Sequence, residues 1–324
     1  MKAVVYERYG PPDVLEMREI PKPMPKDNEV LIRIHATTVS SGDWRARSLA
    51  MPAGFGYLGR LVFGLFRPRQ PILGTELAGE IEAVGKDVTK FKAGDQVFAF
   101  PGSRMGCYAE YRTLPEDGPI ARKPANLTYE EAAALSFGGS TALDFFRRGK
   151  LQSGETVLVN GASGAVGTAA VQLAKHFGAT VTGVTSAANF DLVKSIGADS
   201  VIDYKKEDFT RNGETYDVIV DTAGTAPFSR SKRSLKPKGR LLIVLGGFAD
   251  AIKAPFVSLT GGKKVVAGPA AEKPEYLRLL AELAEAGRFK PVIDRRYSLG
   301  EIVAAHAYVD KGHKRGSVVV TVQP

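Results

Sequence analysis

The 324-residue sequence contains a single cysteine, Cys107, and only four histidines. One thiol cannot close a disulfide within the chain or build a structural zinc site from several thiolates. A reducing compartment is the natural reading, with the cytoplasm as the expected location. Long apolar runs are lacking too. The most apolar segment, residues 53–66 (AGFGYLGRLVFGLF), is interrupted by Arg60 and falls short of the roughly 20 residues that cross a bilayer, so no membrane span is expected. Glu7 and Arg8 arrive before any apolar run reaches the length of an export signal, and none is expected. Internal repeats and low-complexity linkers are absent.

Positive charge is in excess: 44 Lys and Arg against 35 Asp and Glu, a formal net charge of +9. Such a balance suits nucleic acid, an anionic membrane surface, or an enzyme that attracts an anionic cofactor. The basic residues are scattered, and none of their clusters is interleaved with aromatics as single-strand binders require. No nucleic-acid partner is therefore expected. At this length, with 44% hydrophobic and 24% charged residues, the chain suits two domains of a soluble globule.

The first hundred or so residues read as short alternating runs, such as Glu29–Ile34 and Glu80–Val84, broken by Pro and Gly clusters, which is the pattern of a β-rich domain. From Thr156 strand and helix alternate. Strands are expected at Thr156–Asn160, Thr180–Thr185, Ser200–Asp203, Asp217–Asp221 and Arg240–Val244, with helices running to Phe177 and Ile196. This is the pattern of a doubly wound parallel sheet. An amphipathic helix is expected at Glu275–Ala286, then a helix near Glu301–Val309 and a strand at Ser317–Val322, the tail returning to the first domain.

Gly161, Gly164 and Gly167 follow the strand TVLVN and open the helix VGTAAVQLAKHF, the context a dinucleotide fingerprint demands. The turn Gly161-Ala162-Ser163-Gly164-Ala165-Val166-Gly167 must be tight and must let backbone approach a pyrophosphate. Free N–H groups at the helix start then favour the anion. The alternative is a tight strand–helix connection with no ligand. After the second strand, where a cofactor without a 2′-phosphate would meet Asp or Glu, the chain reads Thr185-Ser186-Ala187-Ala188-Asn189, with Tyr204, Lys205 and Lys206 after the third strand. Hydroxyl and amide groups accommodate a phosphate that a carboxylate would repel, so NADP(H) is expected over NAD(H), unless Ser186 only caps the next helix.

The motifs GTELAGEIEAVG (Gly74–Gly85), FKAGDQVFAF (Phe91–Phe100), GCYAEYRTLP (Gly106–Pro115), VLVNGASGAVGTAAVQLAKHFGATVTGV and GSVVVTV cover nearly the whole chain in order. Together they resemble the medium-chain dehydrogenase/reductase superfamily, in its zinc-free quinone oxidoreductase and enone reductase branch. The resemblance implies a GroES-like β-rich catalytic domain from residues 1–121 and 266–324, with a Rossmann nucleotide-binding domain at 122–265. It implies pyrophosphate contacts at Gly164, Ala165 and Val166, and adenosine 2′-phosphate contacts at Ser186, Asn189 and Tyr204. It also implies cofactor contacts at Arg45, at Thr141 in GGSTALDFF, and at Leu245, Gly246 and Gly247, although Arg45 and Arg47 also suit a solvated basic face.

Zinc-dependent members of the superfamily resemble the chain as well. Their cysteine ligand falls at about Ser40 and their histidine at Thr75, before Glu76; their four-cysteine lobe is missing between Phe100 and Tyr108. Cys107 with the dispersed His35, His176, His306 and His313 does not make the Cys/His/carboxylate set of a catalytic zinc. The chain departs from many relatives in having Ala188-Asn189 where they carry a lysine or arginine, and in a longer segment at Arg47–Gln70, read either as a lid over the substrate or as a packed surface loop.

Without zinc the substrate must already be electrophilic, so hydride transfer to a quinone or an α,β-unsaturated carbonyl is expected. Tyr57, Ser41 and solvent are the candidate proton sources. The alternatives are a zinc-free alcohol or ketone reductase and, from another class, a non-catalytic crystallin-like protein that holds NADPH or nucleic acid. The expected partner is a small apolar electrophile. A homodimer is common among the proteins the chain resembles, and Lys264–Ala267 is the candidate interface edge.

Overall fold

The computed structural model describes residues 1–51, 54, 56–247, 254 and 262–323. The chain divides into two compact units. Met1–Met51, Gly56–Phe137 and Glu272–Pro324 form the first, and Gly138–Ala271 the second.

The first unit is built on strands β1 (Lys2–Val5), β2 (Glu16–Glu19), β3 (Glu29–Val39), β4 (Leu77–Val84), β5 (Gln96–Ala99), β6 (Tyr111–Pro115) and β7 (Ile120–Arg122). Between β3 and β4 lie helices α1 (Ser41–Ser48) and α2 (Gly56–Phe63), and α3 (Tyr129–Ala133) follows β7. The alternation in β3 sends Val30, Ile32 and Ile34 into a core shared with Leu77, Ile81, Val97, Leu114 and Ile120. Each such side chain contributes roughly 1.5–3 kcal/mol by leaving water.

The second unit continues from α4 (Ser136–Gly149) through β8 (Thr156–Asn160), α5 (Ala165–His176), β9 (Thr180–Thr185), α6 (Phe190–Ser195), β10 (Ser200–Asp203), β11 (Tyr216–Asp221), α7 (Phe228–Ser231), β12 (Leu235–Ile243) and β13 (Lys264–Val266). Its six strands are all parallel, in the order β10-β9-β8-β11-β12-β13. That is the doubly wound arrangement, and the order reverses between β8 and β11. Val157–Val159 and Val218–Val220 are buried without alternation, as befits strands covered on both faces.

The tail adds α8 (Pro274–Glu285), β14 (Ile293–Ser298), α9 (Ile302–Asp310) and β15 (Ser317–Thr321) to the first unit. α8 has Pro274 in its first turn, and Gly287 follows it at φ +66°, a left-handed stop that glycine adopts without strain. β15 pairs antiparallel with β3 from Val318↔Val39 to Thr321↔Ala36, and β14 pairs parallel with β15. The main sheet thus runs β14-β15-β3-β4-β5-β7, with β6 also on β3.

One sequence expectation is corrected and one alternative is removed. β12 begins at Leu235, five residues before the expected Arg240, because Pro237 and a left-handed Lys238 (φ +62°) break the pattern without ending the strand. The basic pair on α1 is not a solvated face: Arg47 is fully buried, and burial pulls the pKa of Arg45 below its ordinary value, with its guanidinium 5.2 Å from the Trp44 ring centroid. Of the Arg47–Gln70 segment, residues 52, 53 and 55 lie outside the described residues, while Tyr57 and Phe66 are each 89% exposed.

Candidate nucleotide site and buried carboxylate cluster

In the second unit the glycine turn joins β8 to α5 at the point where the strand order reverses. Gly161 and Ala162 both donate their N–H groups to the Val184 carbonyl on β9, at 3.1 and 3.0 Å, which pins the turn to the sheet. The three glycines have different reasons to be there. Gly161 sits at φ +84°. A Cβ on Gly167 would lie 2.1 Å from the Gly161 carbonyl oxygen, so the helix can approach the turn only with hydrogen at that position. Gly164 is the N-cap of α5, in extended conformation, and a Cβ there would meet nothing closer than 3.7 Å. No side chain caps the helix. Its first N–H groups and the open space beside Gly164 fit an anion, and Ala165 and Val166 form the helix start that would carry it.

Ser163, at the centre of the turn, faces the end of β9. Its Oγ accepts from the Thr185 hydroxyl at 2.9 Å and from Asn189 Nδ2 at 3.2 Å, and Asn189 Nδ2 also reaches Ser186 Oγ at 3.2 Å. Four polar side chains that the sequence separates by up to 26 positions are therefore one cluster. Ser186 makes no side-chain capping bond to the helix that follows. Tyr204 is tied to the same strand end, its N–H donating to the Thr185 carbonyl at 3.2 Å, and its side chain is 55% exposed.

A polar network missed in the sequence lies at the ends of β8 and β11. Asn160 Nδ2 donates to Asp221 Oδ1 (2.8 Å) and to Thr225 Oγ1 (2.9 Å), while Asp221 accepts the N–H groups of Ala223, Gly224 and Ala226. One carboxylate thereby fixes the loop after β11. Leu245 lies against this loop: a Cβ on Gly224 would come within 3.0 Å of its side chain. Leu245, Gly246 and Gly247 are half-buried after β12, and Thr141 is buried in α4.

The first unit carries a second cluster. Ser40 is the N-cap of α1 in a capping box with Asp43: its Oγ accepts from the N–H groups of Gly42 and Asp43 and donates to Asp43 Oδ2 at 2.6 Å. Asp43 also accepts from Gly74 N–H (3.0 Å) and the Thr75 hydroxyl (3.4 Å), and Ser40 Oγ lies 3.2 Å from Thr75 Oγ1. Ser40 and Thr75, which take the places of a cysteine and a histidine in zinc-dependent enzymes, are thus bound to each other and to Asp43. Next to them Glu76 accepts from the Thr38 hydroxyl and from Phe137 N–H at 2.5 Å. Among the described residues no three His, Cys, Asp or Glu side chains converge as a metal site. Ser41 and Arg45 lie half-buried on α1, and Tyr57 stands exposed on α2.

Burial sets the ionisation of this cluster. It pushes Asp43 up to about 6, against the hydrogen bonds that favour the anion, and Glu76 from 4.5 to about 8, with the neighbouring Asp43 charge adding to the rise. Glu76 holds a proton in the folded chain that the unfolded chain releases above 4.5. A raised pKa gives stability that is fully present below the unfolded value and lost as pH rises through the folded one, here between 4.5 and about 8. Glu76→Gln is expected to flatten this decline, so that the urea midpoint falls less between pH 5 and pH 8 than in the parent chain. An unchanged pH slope would exclude Glu76 as its source.

A parallel-sheet unit with a glycine turn at its switch point, joined in one chain to an antiparallel β unit, defines a dinucleotide-dependent oxidoreductase. Residues 26–125 match the model of the alcohol dehydrogenase GroES-like domain, and residues 196–320 match that of the zinc-binding dehydrogenases. The chain is 34% identical to the chloroplastic quinone-oxidoreductase QR1 of Triphysaria versicolor, covering 99% of this chain and 98% of that protein. It is 31% identical to the chloroplastic NADPH-dependent alkenal/one oxidoreductase of Arabidopsis thaliana, covering 99% and 79%. The solved structure of a quinone oxidoreductase from Coxiella burnetii superposes with a TM-score of 0.88 at 30% identity, covering 100% and 99%. The chain belongs to the medium-chain dehydrogenase/reductase superfamily, in its quinone oxidoreductase and enone reductase branch, and is an oxidoreductase with a nicotinamide cofactor. No helix among the described residues is long and apolar enough to cross a membrane.

Proposed function

We propose that the chain is a zinc-independent, NADPH-dependent enzyme that reduces a quinone or an α,β-unsaturated carbonyl. The observation that carries this reading is the hydrogen-bonded set of Ser40, Asp43 and Thr75. Two hydroxyls and a carboxylate engaged with one another are a poor donor set for a catalytic zinc, which takes thiolate and imidazole in this superfamily. The substrate must then be electrophilic in itself, as quinones and conjugated carbonyls are, and the names of the two relatives point to the same substrates.

When bound, the reduced nicotinamide supplies the hydride. The protein's part is to bind and orient. The Gly161–Gly167 turn and the start of α5 would hold the pyrophosphate, with Ala162 buried beneath it. Ser163, Ser186, Asn189 and Tyr204 would hold the 2′-phosphate end, and Thr141, Leu245, Gly246 and Gly247 the nicotinamide end; Arg45 is a further candidate cofactor contact. Ser41 and Tyr57 are the side chains to test as proton sources; unchanged turnover in Ser41→Ala and Tyr57→Phe assigns the proton to solvent.

The experiment is NADPH oxidation against quinones, enones and saturated ketones, with NADH and a chelator as controls. Chelator-resistant turnover of quinones or enones is expected. Turnover confined to saturated carbonyls, or abolished by chelator, would sink the proposal. In the same assay Ser186→Asp is expected to lower kcat/KM for NADPH by about tenfold to a hundredfold, because a carboxylate repels the 2′-phosphate, and to leave NADH far less affected. Equal losses with both cofactors would remove Ser186 from the phosphate site.

A further inference from the structure

We propose that a pocket in the first unit binds an amphipathic anion, a carboxylate or phosphate monoester carried on a small apolar body. The pocket is a half-open cleft of about 320 Å³, with Tyr6, Phe63 and Met105 among its apolar walls and three arginines, Arg69, Arg104 and Arg112, along its lining. At about 30 Å³ per atom-sized site, that volume takes a ligand of roughly ten non-hydrogen atoms.

Charge is what selects the ligand. Among the described residues no Asp or Glu lines the pocket, Glu272 close by being occupied with the Ser103 N–H at 2.7 Å, and none of the three guanidiniums is held in an ion pair. Arg112 Nε is buried without a hydrogen-bond partner, so part of this guanidinium is withdrawn from water with a donor left unused. Three like charges around one space repel each other, and an anion placed among them relieves that repulsion while offering the paired oxygens a guanidinium fork fits. The backbone is arranged to permit this. Gly106, at φ +92°, lies where a Cβ would come 2.8 Å from the Arg112 guanidinium carbon, and Gln70 Nε2 donates to the Arg104 carbonyl at 3.2 Å, tying two walls together. The apolar walls add the preference for a hydrocarbon body over a bare ion. All of these residues lie in the first unit, and the inference is independent of the proposed reaction.

The test is calorimetric titration of the full chain with octanoate, octyl phosphate and octanol, and with inorganic phosphate. Saturable one-to-one binding of octanoate or octyl phosphate, at least tenfold tighter than octanol and inorganic phosphate, is expected, and the tighter of the two identifies the head group. Arg112→Gln and Arg104→Gln should each weaken it by tenfold or more, while Arg288→Gln, an exposed arginine elsewhere, should not. Arg104 is exposed, so its variant carries the test if Arg112→Gln fails to fold. Octanol binding as tightly as octanoate, no saturable binding of either anion, or affinity unchanged in Arg104→Gln would overturn the proposal.

Discussion

Gly167→Ala is expected to destabilise the second unit by about 2–3 kcal/mol, a large fraction of what holds a domain together. Two effects oppose each other at this position. Replacing glycine by alanine inside a helix ordinarily gains up to about 1 kcal/mol. Here the new methyl would sit 2.1 Å from the Gly161 carbonyl oxygen and 2.9 Å from the backbone of Ala162. Those are backbone atoms that cannot swing aside as a side-chain tip would, and the turn they belong to is pinned to β9 by two hydrogen bonds. Overpacking therefore wins over propensity. Gly164→Ala is the control, because its methyl would meet nothing within 3.7 Å and its backbone is already extended; its stability should stay within about 0.5 kcal/mol of the parent. Urea denaturation followed in the two variants decides the matter, and a Gly167→Ala chain as stable as the parent would show that the close helix approach is not what requires glycine.

Asp310→Ala should be the more damaging way to break the pair with Arg47. The guanidinium is 1% exposed and donates to Asp310 at 2.6 Å, while the Asp310 side chain keeps 26% of its surface in water. Removing the carboxylate leaves a buried cation with no counter-charge, a loss of about 3 kcal/mol at the low end of the range for buried pairs, since the exposed side of Asp310 already screens part of the attraction. Arg47→Met removes the buried charge itself, and with it the unpartnered Nε and Nη1, leaving a carboxylate that can turn to solvent. It should cost markedly less. Equal losses in the two variants, measured by chemical denaturation, would mean that packing of the arginine stem, and not the stranded charge, sets the cost.

The sequence carried the nucleotide unit more fully than the rest, for a physical reason. Strand, turn and helix there are written within a few residues of each other, so Gly161, Gly164 and Gly167 could be read as a phosphate turn before any contact was known. The cluster of Ser163, Ser186 and Asn189 was half legible: the residues stand out, but the bonds joining them span the turn and the end of β9. The burial of Arg47 could not be decided from the sequence, because the partner that buries it lies 263 positions away, beyond any local pattern. The arginines around Tyr6 were hidden in the same way, since Arg69, Arg104 and Arg112 come from three separate segments. Asp43 and Glu76 were visible as residues, but nothing local marks a carboxylate as buried. The start of β12 at Leu235 was hidden because Pro237 disfavours a strand and nothing in the sequence marks Lys238 as left-handed.

The pairing of β3 with β15 also sets an order of assembly. During synthesis the whole of the second unit emerges between these two strands, contiguous and rich in short-range strand–helix–strand contacts, so it can fold first. Until β15 arrives, Ala36–Val39 present backbone N–H and C=O groups with no partner on that edge, the kind of edge that recruits strands from other chains. The nascent protein therefore passes through a stage in which its nucleotide-binding half is complete and its β half is an open sheet, and that stage is where holdase chaperones would protect the yield of folded protein.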